Sequence, residues 1–325
     1  MRFGQNGNGQ NGNGQNRFGQ KRFGQNRNGQ NKIGKNGKRK MSTEKIAVMV
    51  DSGCDIAPEC IEKYGLWLLP LHIDYPEKAY LDEVDIDPQM VYDRYPKDYP
   101  KTSTPSLQEV IDKLGEIADA GFNKVIAVCI SSGLSGTWNA VRLASLHQER
   151  VEVFAYDTRN ISVASGLLGI WASYKASQGL SFSELCKSLE EKTFSSKVMF
   201  YMDSLEYLKR GGRIGTVTSL IGKALKIRPI ISCRKEGIYY TVSLIRGIKK
   251  GKQKLLSEMV KFCKGHRVWL GLGHGAAAEE LQLMEEMVTE ELGSSAEILY
   301  RKQIAATLAL NTGPGLIGVA ALLDP

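Results

Sequence analysis

From Lys45 onward, apolar β-prone runs repeatedly end in short turns of glycine and hydroxyl residues that open into helical patterns, and this alternation narrows what the chain can fold into. KIAVMV ends in Asp51-Ser52-Gly53-Cys54-Asp55 ahead of a helix over 56–64. KVIAVCI (Lys124–Ile130) ends in SSGLSGTW (Ser131–Trp138) ahead of a helix over 139–147. A strand over 151–156 ends in Asp157-Thr158-Arg159-Asn160 ahead of a small-residue helix over 162–177. Strand, polar turn and helix in succession predict an α/β fold with a parallel sheet whose loops gather at the carboxyl ends of the strands, where ligands of such sheets bind. LWLLPLHI leads through an acidic loop to KTSTPS (Lys101–Ser106), with Pro105 early in a helix reaching about Ala120 and Ser103 or Thr104 as its cap. Beyond about Ser196, VMFYM, RPIISC and EGIYYTVSLI are divided by turns, Glu236-Gly237 among them, and followed by amphipathic helices, which predicts an α+β second part.

These shifts divide the chain into an arm over 1–40, an α/β domain over 41–200 and an α+β domain over 201–325. The arm repeats RFGQN, GNGQN, RNGQN and KIGKN, holds little to bury, and is expected to stay disordered. It carries ten Lys and Arg and no acid, so the net charge of +8 leaves the remainder at −2. A basic arm can touch nucleic acid or an anionic membrane, while the near-neutral body is expected to bind no nucleic acid. The duller reading is translated upstream sequence, with Met41 opening the working protein; no apolar stretch in the arm marks a signal peptide. The body has no run long enough to span a membrane. Six cysteines without CxxC spacing point to a reducing, cytoplasmic setting, and four scattered histidines without HExxH spacing argue against a metal.

Three stretches carry the chemistry: KTSTPS, SSGLSGTW and NTGPG (Asn311–Gly315). Hydroxyls and free amides at a helix start seat a carboxylate or phosphate, because the helix end supplies unpaired donors and partial positive charge. Gly133 and Gly136 with Ser135 also suit a plain tight turn and helix cap. YLKRGGRIG (Tyr207–Gly215) sets Lys209, Arg210 and Arg213 around two glycines, and Arg246-Gly247 precedes a lysine run. Both suit an anion or an acidic partner, or a solvated cationic turn. A serine hydrolase with Ser132 or Ser135 as nucleophile and His274 or His72 as base is the rival enzyme reading, although GLSG is not a GxSxG elbow. A nucleotide enzyme fits less well: there is no GxxxxGK[ST], and the GxGxxA match at 271–276 comes late in the chain.

DSGCDI, KTSTPS, SSGLSGTW, YLKRGGRIG, ALKIRPIISCRKEGIYYTVSLIRGIKKG and NTGPGLIG, in this order and spacing, resemble the motifs of the DegV family of bacterial fatty-acid-binding proteins. The resemblance runs from about Lys45 to the C-terminus. It implies a two-domain α/β protein, not an enzyme and without a cofactor, that holds one long-chain fatty acid such as palmitate, stearate or oleate between its domains. It further implies presentation of the carboxylate to a fatty acid kinase, which makes an acyl phosphate for phospholipid synthesis, with transient membrane contact. By motif, Thr102, Ser103, Ser131, Ser132, Gly133, Gly136, Asn311 and Thr312 fall at the head group, and Arg213 and Arg246 at positions for partner docking or phosphate. Trp138, Phe154, Leu167 and Ile170 are candidate tail-lining residues, with core packing as the competing role. Relatives commonly have histidine where this chain has Asn311, which can donate an N–H but carries no charge and shuttles no proton.

Overall fold

The computed structural model describes residues 44–220, 227–246 and 248–325. The arm over 1–40 lies outside them, as does the side chain of Arg246.

The chain opens with β1 (Ile46–Asp51), a short turn, α1 (Pro58–Tyr64) and β2 (Leu66–Leu69). Gly65 ends α1 in the left-handed region at φ 59°, where a side chain would be strained. Strands β3 (His72–Asp74) and β4 (Ala79–Leu81), helix α2 (Pro88–Arg94) and strand β5 (Lys101–Ser103) follow. Next come α3 (Leu107–Asp119), β6 (Lys124–Cys129), α4 (Thr137–Ser145), β7 (Glu152–Asp157), α5 (Val163–Ser177) and α6 (Phe182–Lys192). The rest of the chain contains β8 (Ser196–Tyr201), α7 (Glu206–Arg210), β9 (Ile227–Cys233), β10 (Tyr239–Arg246) and α8 (Ile248–Cys263). It closes with β11 (Val268–Gly275), α9 (Ala278–Leu292), β12 (Ala296–Gln303), α10 (Ala306–Thr312) and β13 (Leu316–Leu323).

Among the described residues, three sheets result. The parallel four-stranded sheet runs β2-β1-β6-β7, and its inner strands β1 and β6 are apolar and buried along nearly their whole length, as a sheet covered on both faces requires. A six-stranded sheet runs β10-β9-β8-β13-β11-β12 and is antiparallel except at β11–β12. Helix α5 lies between these two sheets and touches β1 on one side and β8, β11 and β13 on the other. It is buried from Val163 to Ala172, and its small residues permit the fit: a Cβ on Gly166 would collide with the Cys54 carbonyl and the Tyr300 hydroxyl. The mixed α/β class read from the alternation is therefore what the chain adopts.

The third sheet, β4-β3-β5, corrects the reading of KTSTPS as a helix start. Lys101–Ser103 pairs with β3 instead, His72 opposite Ser103, and α3 begins only at Leu107. Its cap is Ser106, which accepts from the Glu109 amide while the Glu109 carboxylate accepts from the Ser106 amide. Pro105 stays outside the helix. LWLLPLHI likewise breaks into β2 and β3, which belong to different sheets.

Candidate functional site

The strand ends Asp51, Cys129 and Asp157 lead into three loops at one edge of the parallel sheet. Because β2 and β6 flank β1 on opposite sides, the loops after β1 and β6 diverge and leave a crevice. A cavity of about 60 Å³ occupies this edge, lined by Thr102, Ser103 and Thr104 of β5 and its exit, Ser135 and Gly136 ahead of α4, Thr307 and Asn311 of α10, and Arg213. Among the described residues its lining contains one cation and no acid, and the N-terminal amides of α4 start beside it, an arrangement that suits an anion. Arg213 Nη1 donates to the Gly211 carbonyl at 2.7 Å and Nε to the Leu134 carbonyl at 3.4 Å, which pins the guanidinium across two loops. Asn311 gives one amide hydrogen to the Thr307 carbonyl at 2.9 Å and retains another. Among the described residues, the hydroxyls of Thr102 and Thr104 make no hydrogen bond, whereas Ser103 donates to Asp74 at 2.9 Å.

An apolar cavity of about 20 Å³ continues inward between α5, α10 and the six-stranded sheet, with Val163, Val198, Phe200, Ile304 and Leu316 in its wall. Ile161, Tyr239 and Leu308 border both cavities and form the wall they share. Both spaces fall well below the roughly 300–1,000 Å³ of a typical ligand pocket, so a long tail displaces side chains on its way in. Tyr239 is buried, and loss of hydration pushes its phenol pKa well above the ordinary range, so it remains a neutral donor.

The polar loops are brought together, but not every residue named from them reaches the cavity. Thr102, Ser103, Gly136, Asn311 and Arg213 line it. Ser131 is fully buried and donates to the Gly237 carbonyl at 2.7 Å, in the turn between β9 and β10. Gly133 packs under that same turn: a Cβ there would stand 2.8 Å from the Gly237 oxygen. Ser132 donates to Asp157 at 2.5 Å, on the outer side of the loop. Thr312 lines the apolar cavity and donates to the Leu308 carbonyl. Leu167 and Ile170 are core residues of α5, and Trp138 and Phe154 border a separate surface groove. Thr307, which the sequence reading passed over, precedes Asn311 by four residues; that helical spacing puts both on one face of α10.

Among the described residues, neither Ser132 nor Ser135 is hydrogen-bonded to His72 or His274. Ser135 pairs with Thr137 at 2.8 Å, His72 faces Glu109 at 3.0 Å, and His274 Nδ1 accepts from the Ala277 amide at 3.1 Å. Among the described residues, no three His, Cys, Asp or Glu side chains are grouped to hold a metal ion, and no helix is long and apolar enough to cross a membrane.

Comparison with known proteins gives a consistent result. Residues 45–324 match the model of the family described as "Uncharacterised protein, DegV family". A DegV domain-containing protein of Clostridium acetobutylicum is 34% identical over 278 residues, which cover 85% of this chain and 98% of that one. Among solved structures, a fatty-acid-binding DegV family protein of Thermus thermophilus is similar at a TM-score of 0.79 and 26% identity, over 86% of this chain and 99% of that one. A stearic-acid-binding protein of Eubacterium ventriosum is similar at a TM-score of 0.79 and 27% identity, again over 86% and 99%.

Proposed function

This chain belongs to the DegV family, and from that premise we propose that it binds a long-chain fatty acid, with the carboxylate in the polar cavity and the tail in the apolar one. The observation that carries this reading is a hydroxyl- and Arg213-lined cavity, without an acid among the described residues, that shares a wall of Ile161, Tyr239 and Leu308 with an apolar one. The division of labour follows from magnitudes. Tail burial contributes ~0.8 kcal/mol per CH₂, on the order of 10 kcal/mol for sixteen carbons before association costs. Each head-group hydrogen bond adds about 1 kcal/mol net, more when charged. The tail therefore supplies affinity, and the polar loops fix which end faces outward.

Carriage in the cytoplasm, with no cofactor and no reaction of its own, is the role these features support, and a fatty acid kinase that phosphorylates the presented carboxylate is the proposed partner. Arg213, exposed at the cavity, supports contact with the carboxylate and with an incoming anionic partner, and Arg246 is proposed, from its motif alone, for partner docking or phosphate. The domain division over 41–200 and 201–325 accompanies this proposal, with the ligand space between the parts. Native mass spectrometry of the full-length protein, before and after delipidation and re-addition of stearic and oleic acid, tests it. One acid per chain is expected. A delipidated chain that takes up neither acid would overturn the reading.

A further inference from the structure

The DSGCD motif lines neither cavity, yet its last residue holds the segments of two of the three residues that stand between them, where a tail spanning both would pass. Ile161, one wall, sits in a segment bent against its preference: Arg159 and Ser162 on either side have φ of 52° and 56°, the left-handed region that non-glycine residues enter only when their surroundings over-determine them. Several contacts do so. Arg159 pairs with Asp157 at 2.9 Å, the Asn160 side chain donates to the Ser196 carbonyl at 2.9 Å, and the Asn160 carbonyl accepts from the Ser131 amide at 2.7 Å. Ser162 donates to Asp55 Oδ2 at 2.5 Å. Leu308, the second wall, is carried by α10, and the Ala305 amide at the start of that helix donates to Asp55 Oδ1 at 2.7 Å. Asp82 adds a second carboxylate there, accepting from the Thr307 amide at 3.2 Å. Tyr239, the third wall, is held apart from this pair, its carbonyl accepting from the Thr216 hydroxyl and its ring edge-on to Phe200.

We propose that Asp55 is a positioning residue that keeps the passage narrow: its two oxygens tie the Ile161 segment to the helix carrying Leu308, and a tail enters or leaves when one of these ties slips. A buried carboxylate with both oxygens spent on elements distant in sequence does what a simple helix cap does not, since it couples the two walls. In the loaded protein the tail lies between these walls with their side chains turned aside and the ties remade, so breaking a tie lowers the barrier to passage more than it changes either end state, and uptake and release change together. The inference rests on the fatty-acid reading above.

Stopped-flow exchange of cis-parinaric acid into the delipidated full-length protein tests it. Ser162→Ala removes one tie, and Asp55→Ala removes both. In each, association and dissociation rates are expected to rise together, about tenfold for a lost hydrogen bond to a carboxylate, with Kd changed less than about threefold. Asp55→Asn keeps an acceptor for the Ala305 amide and can donate to the Ser162 hydroxyl, so it is expected to restore nearly wild-type rates. Folded Ser162→Ala with unchanged rates, or with a changed Kd at an unchanged association rate, would overturn the proposal. Ser162→Ala decides alone if Asp55→Ala does not fold. A wild-type protein that takes up no parinaric acid would instead defeat the fatty-acid reading, and this inference with it.

Discussion

Gly211 has an ordinary helical φ of −71°, so its backbone does not call for glycine; the space beside it does. The Asn311 amide oxygen occupies the place a Cβ on Gly211 would take, and the Tyr99 hydroxyl stands 3.3 Å from it. Gly211→Ala is therefore expected to push the Asn311 amide out of the cavity, break its bond to the Thr307 carbonyl, and cost about 1–3 kcal/mol as overpacking does. Adding Asn311→Ala should recover most of that stability, because the two effects share one clash; urea unfolding of the single and double variants measures the coupling. Thr102, whose hydroxyl makes no hydrogen bond among the described residues, is the cleaner probe of the ligand. Thr102→Ala is expected to weaken fatty-acid binding about fivefold, the equivalent of one net hydrogen bond of about 1 kcal/mol, with the melting temperature of the ligand-free protein unchanged, as calorimetric titration and thermal scans can show. These residues were legible because their loops are rich in glycine and hydroxyls. The partners of Ser131 and Ser132 were not: Gly237 and Asp157 lie 106 and 25 residues further along, and no local pattern names them.

At the scale of elements, periodicity served where burial is uniform and failed where short strands pair at long range. The parallel strands and α5 were readable, since a strand covered on both faces is apolar throughout and a helix squeezed between two sheets is rich in Gly, Ala and Ser. Strand β5 was not, because KTS has only three residues and becomes a strand through its pairing with β3, some thirty residues earlier. The true start of α3 did have a local sign, the Ser106-x-x-Glu109 capping box, which competes successfully with Ser103 and Thr104 because it satisfies two orphan amides reciprocally. Ser106→Ala is accordingly expected to cost about 1 kcal/mol of folding stability, read as a lower urea midpoint at constant m-value. Because α3 follows directly on the strand carrying Thr102, fraying of its first turn should also loosen that wall of the cavity. The variant is then expected to bind fatty acid more weakly than stability loss alone would give.

Across the whole molecule, the edge of the parallel sheet that positions the cavity also concentrates buried acid. Burial pushes the carboxyls of Asp51 and Asp55 up to about 7, and moves Asp82 and Glu83 in the same direction, against the pull of Lys302 on the last three. The folded chain therefore holds protons that the unfolded chain, with Asp near 3.8, has already released. Stability depends on pH in proportion to protons bound unfolded minus protons bound folded, and that difference is negative here, so stability falls as pH rises from about 4 to about 7 and levels off above. The acids lowered by ion pairs, among them Glu77, Asp85, Glu258, Glu285 and Asp324, have the opposite sign but act below that window. His274, pushed down by burial, opposes the trend near the top of it, one group against four. Guanidinium midpoints measured from pH 5 to pH 8 should thus decline for the wild type, and Asp51→Asn, which keeps an acceptor for the Ile130 amide without a titrating proton, should flatten the decline. A midpoint that climbs with pH over this range would mean that the carboxyls are ionised in the fold. The α10 cap would then be held by full negative charge, and the tie at Asp55 would be stronger at neutral pH than its burial implies.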